Sequence, residues 1–159
     1  MASVSVKPVN VPNDIVITAA VEEVIRGHLN WREHHPDTNL SGKTHKILMP
    51  NMDLYSPSGI SIYYGEDSAT NAAFLRTLPQ AISSTKKTDV ARPSLKEAIE
   101  MFPALKAQEG ALLADKRYTV FAVTYPDWDH CKDQNEAVAK LRKRAGQLKI
   151  RVIEVRIHQ

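Results

Sequence analysis

Two segments in the second half of the chain carry the clearest strand pattern. Residues 117–124 contain a nearly continuous apolar run, which is typical of a central strand covered on both faces. Residues 150–157 alternate isoleucine or valine with polar or charged residues, as expected for a final strand. Between them, Val138, Leu141 and Ala145 recur at helical spacing. The pattern predicts a strand–helix–strand unit in which the helix packs on the sheet.

The residues upstream of this unit predict further alternation of strands and helices. Residues 60–64 are rich in β-branched and aromatic side chains and predict a strand. Ser94 and Glu97 have the spacing of a capping box, so a helix is expected to begin after Ser94. Pro103 interrupts that helix and is suited to open a second one. The other predicted elements are a helix over 69–78 and a short strand at 81–82.

The first part of the chain predicts an arm, a helix and long loops. Residues 1–12 alternate valine with small or polar residues and contain two prolines, so they are expected to form a flexible N-terminal arm. Residues 29–45 and 50–59 are polar or rich in turn residues and are expected to be largely irregular. A helix capped by Asn13 or Asp14 is predicted from apolar residues at helical spacing: Ile17, Ala20, Val21, Val24 and Ile25.

These elements predict a single α/β domain over residues 13–159, preceded by the arm. The core over 60–157 has the order βαβαβαβ, which favours a mainly parallel sheet with flanking helices and right-handed crossovers. The chain has 159 residues, of which 43% are hydrophobic and 25% charged. That usage excludes collagen, coiled coils and wholesale disorder.

Composition also bears on the compartment. Cys131 is the one cysteine, so no internal disulfide can form, which fits a reducing environment. No apolar run approaches the roughly 20 residues that a membrane span needs. Residues 1–10 lack the charged-then-apolar layout of a secretory signal. We therefore expect a cytoplasmic protein with no membrane partner.

Positive charge is concentrated at the C-terminal end. The formal net charge is +3, but residues 130–159 hold eight Lys or Arg and three Asp or Glu, or +5. The last predicted helix turns its basic side chains away from its apolar face, which favours contact with phosphate backbones. The candidate nucleic-acid-binding residues are Lys132, Lys140, Arg142, Lys143 and Arg144. The alternative is that these residues only solvate one helix face.

Two aspartates follow the predicted strand 117–124. Asp127 and Asp129 form a D-x-D pair where open α/β sheets bind ligands. Two carboxylates side by side suit Mg²⁺, which binds through one or two carboxylates plus substrate phosphates. The alternative is a polar turn in which Asp127 bonds its own backbone and Trp128 packs locally.

The order of elements over 60–157 resembles the Toprim domain of topoisomerases, primases and small phage or plasmid proteins. The matching pieces are residues 60–67, a strand followed by a glycine-containing turn, and the D-x-D pair at 127–129. The resemblance implies Mg²⁺-dependent phosphoryl transfer on nucleic acid, with a glutamate at the first strand end as general acid/base. In the family that glutamate precedes the glycine, whereas here Tyr64 precedes Gly65 and Glu66 follows it. The implied catalytic residues are Glu66, Asp127 and Asp129, and the family's glycine after D-x-D is absent.

Other motifs fail on their spacing. Gly42, Lys43 and Thr44 match the end of a phosphate-binding loop, but Asp37 stands where that motif needs its first glycine. The six histidines and one cysteine lack zinc-site spacing, and no other cofactor is expected. Trp31 and Trp128 are candidates for stacking on bases, although Trp31 also suits a core position.

Three functions follow from these patterns. The favoured one is a small nucleic-acid-associated domain that binds phosphate backbones through the basic helix face without catalysis. The second is a protein-interaction or assembly module of the phage or mobile-element type, in which residues 1–12 add as a strand to a protein partner or a second copy. The third is the Mg²⁺-dependent phosphoryl transfer that the Toprim resemblance implies.

Overall fold

The computed structural model describes residues 11–35, 49–84, 86–88 and 91–158. Its strands are β1 (Asp14–Ala20), β2 (Asn51–Tyr55), β3 (Ser61–Gly65), β4 (Tyr118–Thr124) and β5 (Ile150–His158). Its helices are α1 (Val21–Glu33), α2 (Ser68–Arg76), α3 (Leu95–Glu100), α4 (Pro103–Lys106), α5 (Glu109–Ala114) and α6 (Lys132–Leu148). Short 3-10 turns lie at Gln80–Ser84 and Asp129–Cys131. Within these ranges no helix combines the length and apolarity needed to cross a bilayer.

The described strands form one mixed sheet in the order β1-β5-β4-β2-β3. β5 pairs in parallel with both β1 and β4, while β2 runs antiparallel to both β4 and β3. The predicted α/β domain is therefore confirmed, but the expected mainly parallel βαβαβαβ order is only partly correct. Residues 81–82 lie in a 3-10 turn rather than a strand, and β2 occupies residues expected to form turns.

The predicted N-terminal helix is wrong in its first half. Residues 14–20 form β1, which pairs along its whole length with β5, and α1 begins only at Val21. Ile15 and Ala19 are buried on the side of the sheet that α1 covers. The helical spacing noted above spans the junction between a strand and a helix, so it mixes two periods. Of the predicted arm, residues 1–10 lie outside the described part of the chain.

Two helical layers cover the sheet. One apolar cluster packs α1, α3, α4 and α5 on one face, and a second packs α2 and α6 on the other. β4 contributes to both, because Phe121 and Val123 face the first cluster while Val120 and Ala122 face the second. β5 is likewise buried on both faces. The predicted central strand is confirmed, as is the capping box, in which Ser94 and Glu97 each accept a backbone N–H from the other.

A buried amide network fixes α2 and α6 against the sheet. Asn71 Nδ2 donates to Gln134 Oε1 at 2.7 Å and to the Gly65 carbonyl at 3.1 Å. Tyr63 donates its hydroxyl proton to Asn71 Oδ1 at 2.7 Å, and Gln134 Nε2 donates to the Asn51 carbonyl at 3.3 Å. Asn71 and Gln134 are both fully buried, so each hydrogen bond offsets a desolvation cost.

Gly65→Ala should destabilise the fold, because an added Cβ would lie 2.0 Å from Asn71 Oδ1 and 2.7 Å from the Tyr63 hydroxyl oxygen. Relief requires breaking the network, which should lower the free energy of unfolding by about 2 kcal/mol or more. Urea unfolding measures the change. The matched control is Gly110→Ala, whose Cβ meets nothing within 4 Å in α5, and which should be neutral or stabilising by about 0.5–1 kcal/mol. Equal stability of the two variants would contradict this role of the network.

Candidate functional site

The strongest candidate site lies at the carboxyl ends of the three parallel strands. The chain leaving β1 enters α1 on one face of the sheet, whereas the chain leaving β4 reaches α6 on the opposite face. β5 lies between β1 and β4. Open α/β sheets bind ligands where neighbouring connections depart to opposite faces, because a crevice opens between them. The topology therefore favours a ligand-binding crevice at the carboxyl end of β5.

A crevice of about 560 Å³ lies at that point. We call it the edge crevice; it is lined by Tyr125, Pro126, Asp127, Trp128, Ile157 and His158. Its volume falls in the range of small-molecule sites. Trp128 is 52% exposed, and the Tyr125 ring braces it edge-on with the ring centroids 5.3 Å apart. An indole this exposed and yet held by a neighbour is suited to stacking on a flat ligand.

The loop that forms the edge crevice is tied to α6. Asn135 Nδ2 donates to the carbonyls of Tyr125 and Pro126 at 3.3 and 3.4 Å. Thr124 donates its hydroxyl proton to Asn135 Oδ1 at 2.6 Å. The Cys131 amide donates to the Trp128 carbonyl at 2.8 Å. These bonds fix the loop backbone before any ligand arrives, which lowers the ordering cost of binding.

The outer face of α6 carries most of the predicted basic residues. The inner face packs Val138, Leu141 and Ala145 into the core, so the opposite side is left to solvent. We define the basic face as the four exposed cations Lys132, Lys140, Lys143 and Arg144. None of these four forms an ion pair with any residue in the described ranges.

Arg142, the fifth predicted contact, is placed differently. Its guanidinium lies 2.9 Å from the Asp14 carboxylate of β1 and 3.5 Å from the Glu154 carboxylate of β5. Its side chain is 26% exposed and turned toward the sheet. Because two carboxylates already neutralise it, Arg142 fastens α6 to the sheet and does not belong to the basic face.

The three predicted carboxylates do not come together. Asp127 lines the edge crevice, whereas Glu66 accepts the Tyr64 hydroxyl proton and lines a separate small cavity beside Arg92. Asp129 is exposed in the 3-10 turn before α6. Across the described ranges, no three His, Cys, Asp or Glu side chains form a group that could hold a metal ion. The Mg²⁺ hypothesis and the Toprim resemblance gain no support from this geometry and stay predictions.

Sequence reasoning missed a nearly buried ion pair beneath α1. Arg92 donates to both carboxylate oxygens of Asp53, at 3.0 and 2.7 Å, and Ser61 donates its hydroxyl proton to the same carboxylate at 2.9 Å. The guanidinium also lies over the Tyr64 ring, 3.8 Å from its centroid. Asp53 lies in β2, within residues 50–59, which the sequence predicts to be largely irregular. The alternation of Met52 and Leu54 with polar neighbours is the signal that could have shown β2.

Trp31, the other predicted stacking candidate, is engaged in the fold. Its indole N–H donates to Glu97 Oε2 at 3.0 Å, which joins α1 to α3. Its ring also stacks on the His35 imidazole, with the centroids 4.6 Å apart. Trp128 is therefore the more accessible aromatic of the two.

Comparison with protein-family models, with curated proteins and with solved structures found no significant match to this chain. Its function has to follow from the side chains themselves. The edge crevice and the basic face are the two features of the described surface that sequence and structure both single out.

The Asp53–Arg92 pair has a consequence for pH dependence through His28. Burial, then the nearby Arg92 and Arg32 cations, lower the pKa of His28 from 6.5 to about 4. The unfolded chain therefore binds more protons than the folded chain between pH 6.5 and 4. The titration of His28 should leave the free energy of unfolding unchanged above pH 6.5 and should lower it as the pH drops from 6.5 toward 4.

His28→Gln removes this titration. Between pH 6 and 4.5 the variant should lose about 2 kcal/mol less stability than the unsubstituted protein, as measured by urea unfolding across that range. Parallel pH profiles for the two proteins would show that His28 is not held neutral by its surroundings.

Proposed function

We propose that this chain binds single-stranded nucleic acid along α6, with phosphates against the basic face and a base stacked on Trp128. The observation that supports it is the combination of four cations that form no ion pair within the described part of the chain and an exposed tryptophan, all on one continuous loop–helix unit. Cations along a groove or helix provide affinity for the backbone, and aromatic rings provide stacking on unpaired bases.

The spacing along α6 fits a strand that follows the helix. Lys132 and Arg144 are twelve residues apart, or about 18 Å along a helix axis. Lys140, Lys143 and Arg144 are neighbours at i, i+3 and i+4 and form the most positive part of the face. The exposed Asp133 and Glu136 reduce the charge of the first two turns. The main phosphate contacts are therefore expected over the C-terminal half of α6.

Single strands suit this surface better than duplexes. A base can stack on Trp128 only when it is not already paired and stacked within a helix, and such stacking contributes about 1–3 kcal/mol per base. The loop that precedes α6 offers the exposed Trp128 indole for such stacking. The expected specificity is therefore for unpaired strands, with little dependence on sequence.

The basic face is tested by the triple variant Lys140→Gln, Lys143→Gln, Arg144→Gln. Its affinity for a labelled single-stranded oligonucleotide should fall roughly tenfold or more, and the slope of log affinity against log salt should become shallower by about 2, since each phosphate contact contributes about 0.7. Fluorescence anisotropy across a salt series measures both. The three substituted side chains are exposed, so the fold should be unchanged.

The matched control removes the same charge elsewhere. Arg26, Lys96 and Lys106 are exposed and lie on α1, α3 and α4, which cover the face of the sheet opposite α6. Their triple substitution by Gln should leave the salt slope within experimental error. Equal losses of affinity in the two triple variants would mean that net charge, rather than the basic face, controls binding. If the unsubstituted protein does not bind the oligonucleotide at low salt, the proposal is wrong.

A further inference from the structure

The loop that lines the edge crevice leads along the chain into the helix that carries the basic face. This loop ends at Trp128, and the 3-10 turn Asp129–Cys131 leads directly into α6 at Lys132. A strand that continues past the N-terminal end of α6 would therefore meet the loop that carries Trp128. The crevice lies where the strand's next unit, or its terminal unit, would be placed.

The side chains of the edge crevice favour the uncharged parts of a nucleotide. Trp128 offers an exposed ring that Tyr125 holds in place, and the almost fully buried Ile157 lies at the back of the crevice. Asp127 is exposed and, as a carboxylate, accepts hydrogen bonds but donates none. It would repel a phosphate group, while an exocyclic amino group or a ribose hydroxyl would donate to it.

The edge crevice and the basic face would thus contact different parts of a nucleotide. The cations lie on α6, where they would attract phosphates, and the Asp127 carboxylate lies in the crevice, where it would disfavour a phosphate. A volume of about 560 Å³ accommodates a ligand the size of a nucleoside. The loop is already held by Asn135, so little reorganisation is needed for binding.

We propose that the edge crevice is a nucleoside-binding site, in which one base stacks on Trp128 and a base amino group or ribose hydroxyl donates to Asp127. This inference deepens the proposed function by assigning the place of one unit of the strand. It is nevertheless separable from that function, because a free nucleoside carries no phosphate and does not need the basic face.

The test uses the four free ribonucleosides as probes, with binding to the full chain followed by isothermal titration calorimetry. At least one nucleoside should bind at concentrations up to about 10 mM. Trp128→Ala should weaken that binding roughly tenfold. Asp127→Asn should weaken it severalfold. Asp133→Asn is the matched control, since Asp133 is exposed on α6 outside the crevice lining, and it should bind like the unsubstituted protein.

The outcomes separate the two proposals. Nucleoside binding that is lost in Trp128→Ala but unchanged in the basic-face triple variant supports the site, whether or not oligonucleotides bind. No nucleoside binding, or binding unaffected by both crevice substitutions, overturns the site while leaving salt-dependent oligonucleotide binding intact. Circular dichroism of each variant confirms folding; substitutions at the exposed Trp128 and Asp127 remove no described core contact.

Discussion

The burial of β4 and β5 on both faces is the constraint from which the rest of the architecture follows. Neither strand has a face that can be left to water, so helices must cover both sides of the sheet. The chain therefore leaves β1 toward one face and β4 toward the other. The edge crevice opens at the end of β5 because those two connections separate there.

α6 joins the core to the candidate interface. Its inner face packs Val138 and Leu141 against the sheet, and Gln134 connects it to α2 and β2 through the buried amide network. Asn135, one residue later, holds the loop of the edge crevice. α6 therefore carries the cations and, through Asn135, also holds the backbone of the loop that carries the aromatic ring.

The elements that could be predicted from the sequence are those that local residue patterns determine. β4, α6, β5 and the capping box at Ser94 follow from apolar runs, helical spacing and a short motif. β1 could not be recognised, because apolar residues on both sides of the strand–helix junction happen to fit one helical period. β2 was missed because the charge at Asp53 is compensated by Arg92, 39 residues further along the chain.

In the candidate site, too, local patterns predict some residues, whereas the positions of others depend on the tertiary fold. The exposed cations of α6 followed from helical spacing, and the position of Asp127 followed from the end of a strand. The pairing of Arg142 with Asp14, 128 residues away, depends on the tertiary fold. The contribution of His158 to the crevice depends on the strand order, which brings the end of β5 beside the loop after β4.

We propose that the nucleic-acid strand contacts the loop of the edge crevice and the outer face of α6. Titration of the isotope-labelled chain with an unlabelled single-stranded oligonucleotide, followed by amide and indole chemical shifts, tests it most directly. The largest changes should fall on the Trp128 indole and on the amides of the crevice loop and α6. Changes concentrated instead on α3 and α4, on the opposite face of the sheet, would contradict it.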